Sequence, residues 1–328
     1  MYILAFETSC DDTSVALMND EICVALSTRT QMEHDETGWV VPEVAARSHA
    51  NAIFPCIEDV LAQSAVSLDE IDYFACTKQP WLMPSLLTGL TVSQMLAEKY
   101  GKPFLPIDHI EWHIFANFLE REFGDIVFPN LTLTVSGGHT EIYLWKSLFE
   151  MELVSQTRDD AAGECFDKVA KMLWLGFPGW AKIARLSDEF AQSASEEEKS
   201  FAHKLFPRGL SHNSLEFSFS GMKSAIKRYI DDLGALTEED IKRVAYWAET
   251  AILDVLLTKF LLAAEEKGIK NLYLAGWVSA NTRLKNILTN EAEKRGYRFA
   301  APKKILYSMD NAAMIGIRAY YEVTQRKV

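Results

Sequence analysis

At 328 residues, with 48% apolar and 24% charged side chains, the chain suits a soluble protein built as two compact lobes. Its formal charge is −13, from 33 basic and 46 acidic residues. That excludes a surface gripping a phosphate backbone over its whole extent, but leaves room for a local basic patch or a partner that carries the nucleic acid. Five cysteines, at 10, 23, 56, 76 and 165, are odd in number and show no C-x-x-C spacing, so they read as reduced thiols in a cytoplasmic protein. The first seven residues have no basic leader region, and no apolar run approaches membrane-spanning length, so no membrane association is expected.

In chain order, residues 2–6 are apolar, 7–14 form a polar turn (E-T-S-C-D-D-T-S), and 15–18 are apolar again: strand, turn, strand. Glu7, Ser9, Asp11 and Asp12 in that turn suit a phosphate or a metal, although an ordinary hairpin with Asx-turn chemistry carries the same letters. A helix is predicted from residues 40–43 through Ala45, Ala50 and Ile53, interrupted at Pro55 and resumed to Ala62. A strand at 71–77, a helix at 86–100 and a strand at 104–107 follow, an alternation that implies an α/β lobe. Residues 131–145 repeat the first unit: strand, the turn S-G-G-H-T at 136–140, strand. Its two glycines let backbone approach a phosphate closely. The repetition predicts duplicated lobes closing on a nucleotide from both sides.

Further along, 158–175 precedes a loop at 176–179, and 196–199 (E-E-E-K) reads as a solvated polar turn without function. Residues 217–226 lead into a helix, and 237–267 form a long one, opened by Thr237 and Asp240 and closed by Gly268. A strand at 271–275, a helix ending at Arg295, and a C-terminal helix capped by 308–311 complete the pattern.

The stretch 108–113, D-H-I-E-W-H, carries imidazoles at i and i+4, which share one face of a helix and suit one divalent ion. Packing or surface placement is the ordinary alternative for such a pair. A zinc-protease helix reads H-E-x-x-H, with its general base beside the first ligand. Here Glu111 falls roughly 200° round the helix from His109, facing away from the metal side. Asp310, at a helix start after a loop, is the candidate third ligand. A His-His-Asp set with open positions suits iron(II) or zinc and serves as a Lewis acid towards a neighbouring carbonyl.

Taken together, E-T-S-C-D-D-T at 7–13, V-V-P-E-V-A-A-R at 40–47, H-x-E-x-H at 109–113, V-S-G-G-H-T at 135–140, D-D-A-A-G-E-x-F-D-K-V-A-K at 159–171, F-S-F-S-G-M-K at 217–223, A-G-x-V-x-A-N at 275–281 and D-N-A-A-M-I at 310–315 resemble the TsaD family. These are the tRNA N6-adenosine threonylcarbamoyltransferases, formerly described as O-sialoglycoprotein endopeptidases. The resemblance implies a two-lobed actin/Hsp70/sugar-kinase-like (ASKHA) α/β fold. It implies an N-terminal lobe over 1–107, completed by a C-terminal helix at 310–328, and a C-terminal lobe over 108–309 with the metal helix and adenylate loops. The implied reaction moves a threonylcarbamoyl group from threonylcarbamoyl-adenylate to N6 of the adenosine after the anticodon, in tRNAs reading codons that begin with A. His109, His113 and Asp310 match catalytic metal ligands, for Fe(II) with Zn(II) as the alternative. Thr134, Val135, Ser136, Gly137, Gly138, Asp167, Trp180 and Asn281 match adenylate-binding positions. TsaB-like and TsaE-like subunits are implied partners in a bacterial setting, and a local basic surface including Lys223, Lys227 and Arg228 is expected, with a plain solvated helix as the alternative. A metal-dependent peptidase and a non-catalytic nucleotide-binding scaffold are the competing readings.

The chain departs from the family pattern at Trp39, Trp81, Trp112, Trp174, Trp180 and Trp277, where the pattern carries glycine. A bulky residue in a glycine conformation costs roughly 1–2 kcal/mol in backbone strain alone. The one-way substitution points to a codon such as UGA, read as glycine in the source and rendered here as tryptophan. Gln79, Pro84, Ala181 and Ala184 depart in ways that this does not explain.

Overall fold

The computed structural model describes residues 1–31, 40–80, 82–176, 179–210 and 213–326, apart from the side chains of 110–112 and 123. Two compact units divide the chain: Met1–Ile126 with Pro302–Val328, and Val127–Ala301.

In the first unit β1 (Tyr2–Glu7), β2 (Asp12–Asn19), β3 (Ile22–Thr30), β4 (Tyr73–Gln79) and β5 (Phe104–Asp108) form one sheet in the order β3-β2-β1-β4-β5. β1 pairs antiparallel with β2, Phe6 facing Val15, and parallel with β4, Phe6 facing Cys76. Helices α1 (Pro42–Ser64), α2 (Met83–Tyr100) and α3 (His109–Phe115) belong to this unit. α1 runs unbroken through Pro55, contrary to the predicted interruption. Proline removes one backbone donor, but Ala45, His49, Ile53, Cys56, Ile57 and Val60 bury a continuous stripe on either side of it, which holds the helix together.

The second unit repeats the connectivity. β6 (Asn130–Val135), β7 (Thr140–Ser147), β8 (Glu150–Gln156), β9 (Asn271–Ala275) and β10 (Arg298–Ala300) are ordered β10-β9-β6-β7-β8. β6 pairs antiparallel with β7 and parallel with β9, as β1 does with β2 and β4. Its helices are α4 (Ala162–Met172), α5 (Gly179–Ser193), α6 (Glu196–Leu205), α7 (Ser220–Leu233), α8 (Glu238–Lys267) and α9 (Thr282–Arg295). The residues read as a solvated turn at 196–199 instead open α6. Ser195 Oγ accepts from Glu198 N while the Glu198 carboxylate accepts from Ser195 N, a reciprocal cap. α8 is the spine of this unit's core, burying Val244, Ala248, Leu256 and Phe260 among others.

The C-terminal helix, α10 (Ala312–Gln325), returns to the first unit. The unit boundary falls after Ile126 and not after residue 107, so α3 lies with β1–β5 rather than in the second lobe as expected. Aromatic packing gives the reason. Phe115 and Phe118 stack 4.6 Å apart and both meet Tyr321 of α10, at 6.0 and 5.3 Å.

Candidate functional site

Both sheets bring their chemistry to the carboxyl ends of the parallel strands, where loops leave an open α/β sheet free to hold ligands. In the first unit β1 ends at Glu7, β4 carries Thr77 near its end, and β5 runs directly into His109. The polar turn after β1 is tied down on two sides. Thr8 Oγ1 donates to Ser85 O at 2.9 Å and accepts from Gly89 N at 3.1 Å, which leaves no room for a side chain at Gly89. His49 Nε2 lies 3.0 Å from Cys10 O, which can only accept, so this nitrogen carries the proton and Nδ1 accepts from Thr13 Oγ1 at 2.8 Å.

His109 and His113 are buried, 3% and 1% exposed, with their rings 5.0 Å apart in an edge-on arrangement. Ser9 Oγ is 3.2 Å from His109 Nδ1, and Asp310 Oδ1 is 3.7 Å from His113 Nε2. Asp310 arrives from the far end of the chain because α10 starts here. Asn311 caps that helix with its side chain, accepting from Ala313 N and Met314 N, and Ala312 N donates to Ser14 Oγ. The carboxylates crowd one another. Burial pushes Glu7 up to about 7, against hydrogen bonds from Ser9 and Thr77, with repulsion from Asp12 adding to the rise. Burial, then repulsion from Asp11, raises Asp12 to about 6, against the hydroxyl of Thr30. Asp310 is held well above the usual carboxylate range by burial and by Glu7, Asp12 and Asp11.

Two imidazoles and a carboxylate in a pocket short of positive charge are the donor types a divalent cation takes. As the side chains lie, no three His, Cys, Asp or Glu groups among the described residues surround a common point. The side chain of Glu111, on which the peptidase reading turns, falls outside the described residues, as does that of Trp112.

The second unit gathers the other candidates. Thr134 and Val135 end β6, both fully buried, and Ser136 N donates to His139 O at 2.8 Å across the glycine turn. Gly163, at the start of α4, presses on this turn: a Cβ there would lie 2.4 Å from Ser136 O and 2.7 Å from Trp277 Cζ2. Gly137 faces the same indole, its virtual Cβ 3.4 Å from Nε1. Trp277 therefore fills the space against both glycines, and its ring lies 5.5 Å from that of Trp180, tilted by 42°. Asp167 on α4 accepts from Gly179 N at 2.7 Å, which anchors the start of α5. A cavity of about 380 Å³ opens beside Trp180, with Asp188, Glu249, Asn281, Thr282 and Arg283 in its wall.

Asn281 caps α9 through Oδ1, accepting from Leu284 N at 2.8 Å, and its Nδ2 donates to Glu249 Oε1 at 2.7 Å. Glu249 and Arg283 escaped the sequence reading. The available signal was a carboxylate within the apolar stretch Y-W-A-E-T-A-I-L of a long helix, where a charge needs a partner. The D-D pair at 159–160 has a structural task. Asp159 accepts from Phe219 N and Ser220 N and so holds the start of α7, while Asp160 pairs with Lys168 at 3.0 Å and Lys223 at 2.5 Å. Lys223 and Lys227, expected on a basic surface, are ion-paired, the latter with Asp231 at 2.8 Å; Arg228 is exposed. Of the six anomalous tryptophans, Trp39 and Trp81 lie outside the described residues.

The sequence matches the family model for TsaD, described as tRNA N6-adenosine threonylcarbamoyltransferase, over residues 22–317. The chain belongs to the TsaD family. TsaD relatives with that same name share 39% identity in Clostridium beijerinckii, covering 99% of this chain and 94% of theirs, and 40% in Desulfotalea psychrophila, covering 98% and 92%. This TsaD member is accordingly a transferase, and the name its relatives share ties it to tRNA modification. A full-length HypF structure in a phosphate- and nucleotide-bound form is similar in fold, with a TM-score of 0.53 at 10% identity over 99% of this chain and 47% of that one. The fold is the expected α/β, actin/Hsp70/sugar-kinase-like architecture with a duplicated sheet. Among the described residues no helix is long and apolar enough to cross a membrane.

Proposed function

We propose that the protein transfers the threonylcarbamoyl group of threonylcarbamoyl-adenylate to N6 of the adenosine following the anticodon, in tRNAs reading codons that begin with A. The observation that carries this reading is Asp310 lying 3.7 Å from His113, whose ring meets that of the equally buried His109, in a chain that matches its family almost end to end. Nucleotide recognition is assigned to the second unit. Backbone of the Ser136–Gly137–Gly138 turn faces the phosphate, Asp167 keeps the start of α5 beside the ribose, and Asn281 offers its amide to the nucleoside. Carbamoyl activation is assigned to the first unit, where His109, His113 and Asp310 would hold a divalent ion, Fe(II) with Zn(II) as the alternative. Bound there, such an ion would supply a Lewis acid for the carbamoyl oxygen. N6 attacks the carbamoyl carbon, a C–N bond forms, the C–O bond to phosphate breaks, and AMP leaves with the bonding pair while N6 gives up a proton. Ser9 Oγ, 3.2 Å from His109 Nδ1, fixes the plane of that ring.

The net charge of −13 supports dependence on TsaB-like and TsaE-like subunits for presenting tRNA, in a cytoplasmic setting. One observation favours the scaffold reading for the chain as written: the indole of Trp277 lies against Gly137 and Gly163 where a phosphate would approach. Reconstitution with threonylcarbamoyl-adenylate, tRNA and both partner subunits, scored by nucleoside mass spectrometry, tests both. Modified adenosine is expected, at a higher rate from Trp277→Gly than from the chain as written. Its absence from both removes the transferase reading.

A further inference from the structure

The wall of the second unit's cavity contains a buried network centred on Glu249, a residue that the proposed reaction leaves without a role. Glu249, on α8, is 1% exposed and its carboxylate meets three donors. Asn281 Nδ2 donates to Oε1 at 2.7 Å, Arg283 Nη1 donates to Oε2 at 3.0 Å, and the Ser187 hydroxyl donates to the same oxygen. Arg283 is fixed further by Thr250 Oγ1 at 2.8 Å and by the Tyr246 ring, 4.3 Å below its guanidinium.

Chemistry decides which way the Asn281 amide faces. A carboxylate only accepts, so Glu249 requires the NH2 end, and the Leu284 N–H requires the oxygen end. Each end is used once. The amide keeps one N–H and one oxygen lone pair in a fixed order, the donor–acceptor pair that an adenine edge complements and that the double-acceptor edge of guanine does not. We propose that Glu249 is a positioning residue that sets the base selectivity of this pocket by locking the Asn281 amide and holding Arg283 beside it. The proposal rests on the reading that the pocket takes the adenylate, and it deepens that reading by naming what selects the base.

Calorimetric titration of the full-length protein with AMP and with GMP tests it. Wild type binds AMP at least about ten-fold tighter than GMP, the scale of one hydrogen bond to a charge-locked group. Glu249→Gln removes the acceptor-only partner, weakens AMP about ten-fold and leaves GMP nearly unchanged, so the ratio collapses. Asn281→Ala collapses the ratio equally, and Glu249→Gln added to it changes nothing further, because both act through one amide. Should Glu249→Gln fail to fold, Ser187→Ala carries the test, since it loosens Glu249 while keeping the charge: a two- to three-fold fall in the ratio supports the proposal and an unchanged ratio overturns it. A merely structural Glu249 would lower the melting temperature and weaken both nucleotides alike, which also overturns it. If wild type prefers AMP and Glu249→Gln keeps that preference, this inference fails and the adenylate reading stands. Absence of binding by wild type removes both.

Discussion

Trp174 holds φ at +55° while leaving 76% of its surface in solvent. An L-residue in that conformation is strained by about 1–2 kcal/mol, and an indole that exposed recovers little through burial. Trp174→Gly is therefore expected to stabilise the protein by about 1 kcal/mol in urea unfolding, although it deletes the largest side chain there is. Peptide mass spectrometry of protein from its native source is expected to find glycine at 174, 180 and 277; tryptophan at these positions ends the codon explanation. Gly163 presents the opposite case. Its virtual Cβ overlaps backbone at Ser136 O as well as the Trp277 ring, so the turn itself would have to move. Gly163→Ala should cost about 1–3 kcal/mol by the same measurement, and Trp277→Gly should relieve only the part owed to the ring.

Elements with their own punctuation were legible. Thr237 and Asp240 cap α8 reciprocally and Gly268 closes it at φ +65°, as the letters indicated. Thr237→Ala is expected to destabilise by about 1 kcal/mol. Elements whose identity comes from a neighbour were not. β3 and β8 are outer strands of their sheets with several exposed positions, and β10 has only three residues, so none carries a clean alternation. α5 and α6 were hidden for a related reason: both faces are completed by α8, and that of α5 by α4 as well. The join between α4 and α7 combines a shared apolar core with the ion pairs of Asp160, and its ionic part should follow pH. Burial works against the charge of Asp160, but Lys223 and Lys168 outweigh it and hold the carboxyl below its usual range. A depressed folded-state value means the stabilisation is complete above the unfolded value of 3.8 and is lost as pH falls through the folded one. Urea midpoints measured from pH 6 downward should drop in wild type, and the drop should be shallower in Asp160→Asn, which starts from a lower midpoint.

Across the whole molecule, the duplication was readable because both copies begin with the same strand–turn–strand, hydroxyls in the turn. The unit boundary was not, because it depends on Phe115 and Phe118 reaching Tyr321, some two hundred positions away in the chain. The same long return makes the first unit discontinuous, closed by α10, whereas Val127–Ala301 is one uninterrupted segment. A core running from Leu131 to Leu288 lies wholly inside that segment, with α8 through its middle. Residues 127–301 expressed alone should therefore fold and melt in one cooperative transition, since neither the sheet nor this core borrows a strand or helix from outside. Under the proposed division of labour the fragment should also bind AMP with the affinity of the full chain, because Asp167, Asn281 and Glu249 all belong to it. Residues 1–126 alone lack α10 and Asp310, and should neither melt cooperatively nor take up a divalent ion. A fragment 127–301 that folds yet has lost AMP binding would overturn the assignment of nucleotide recognition to this unit.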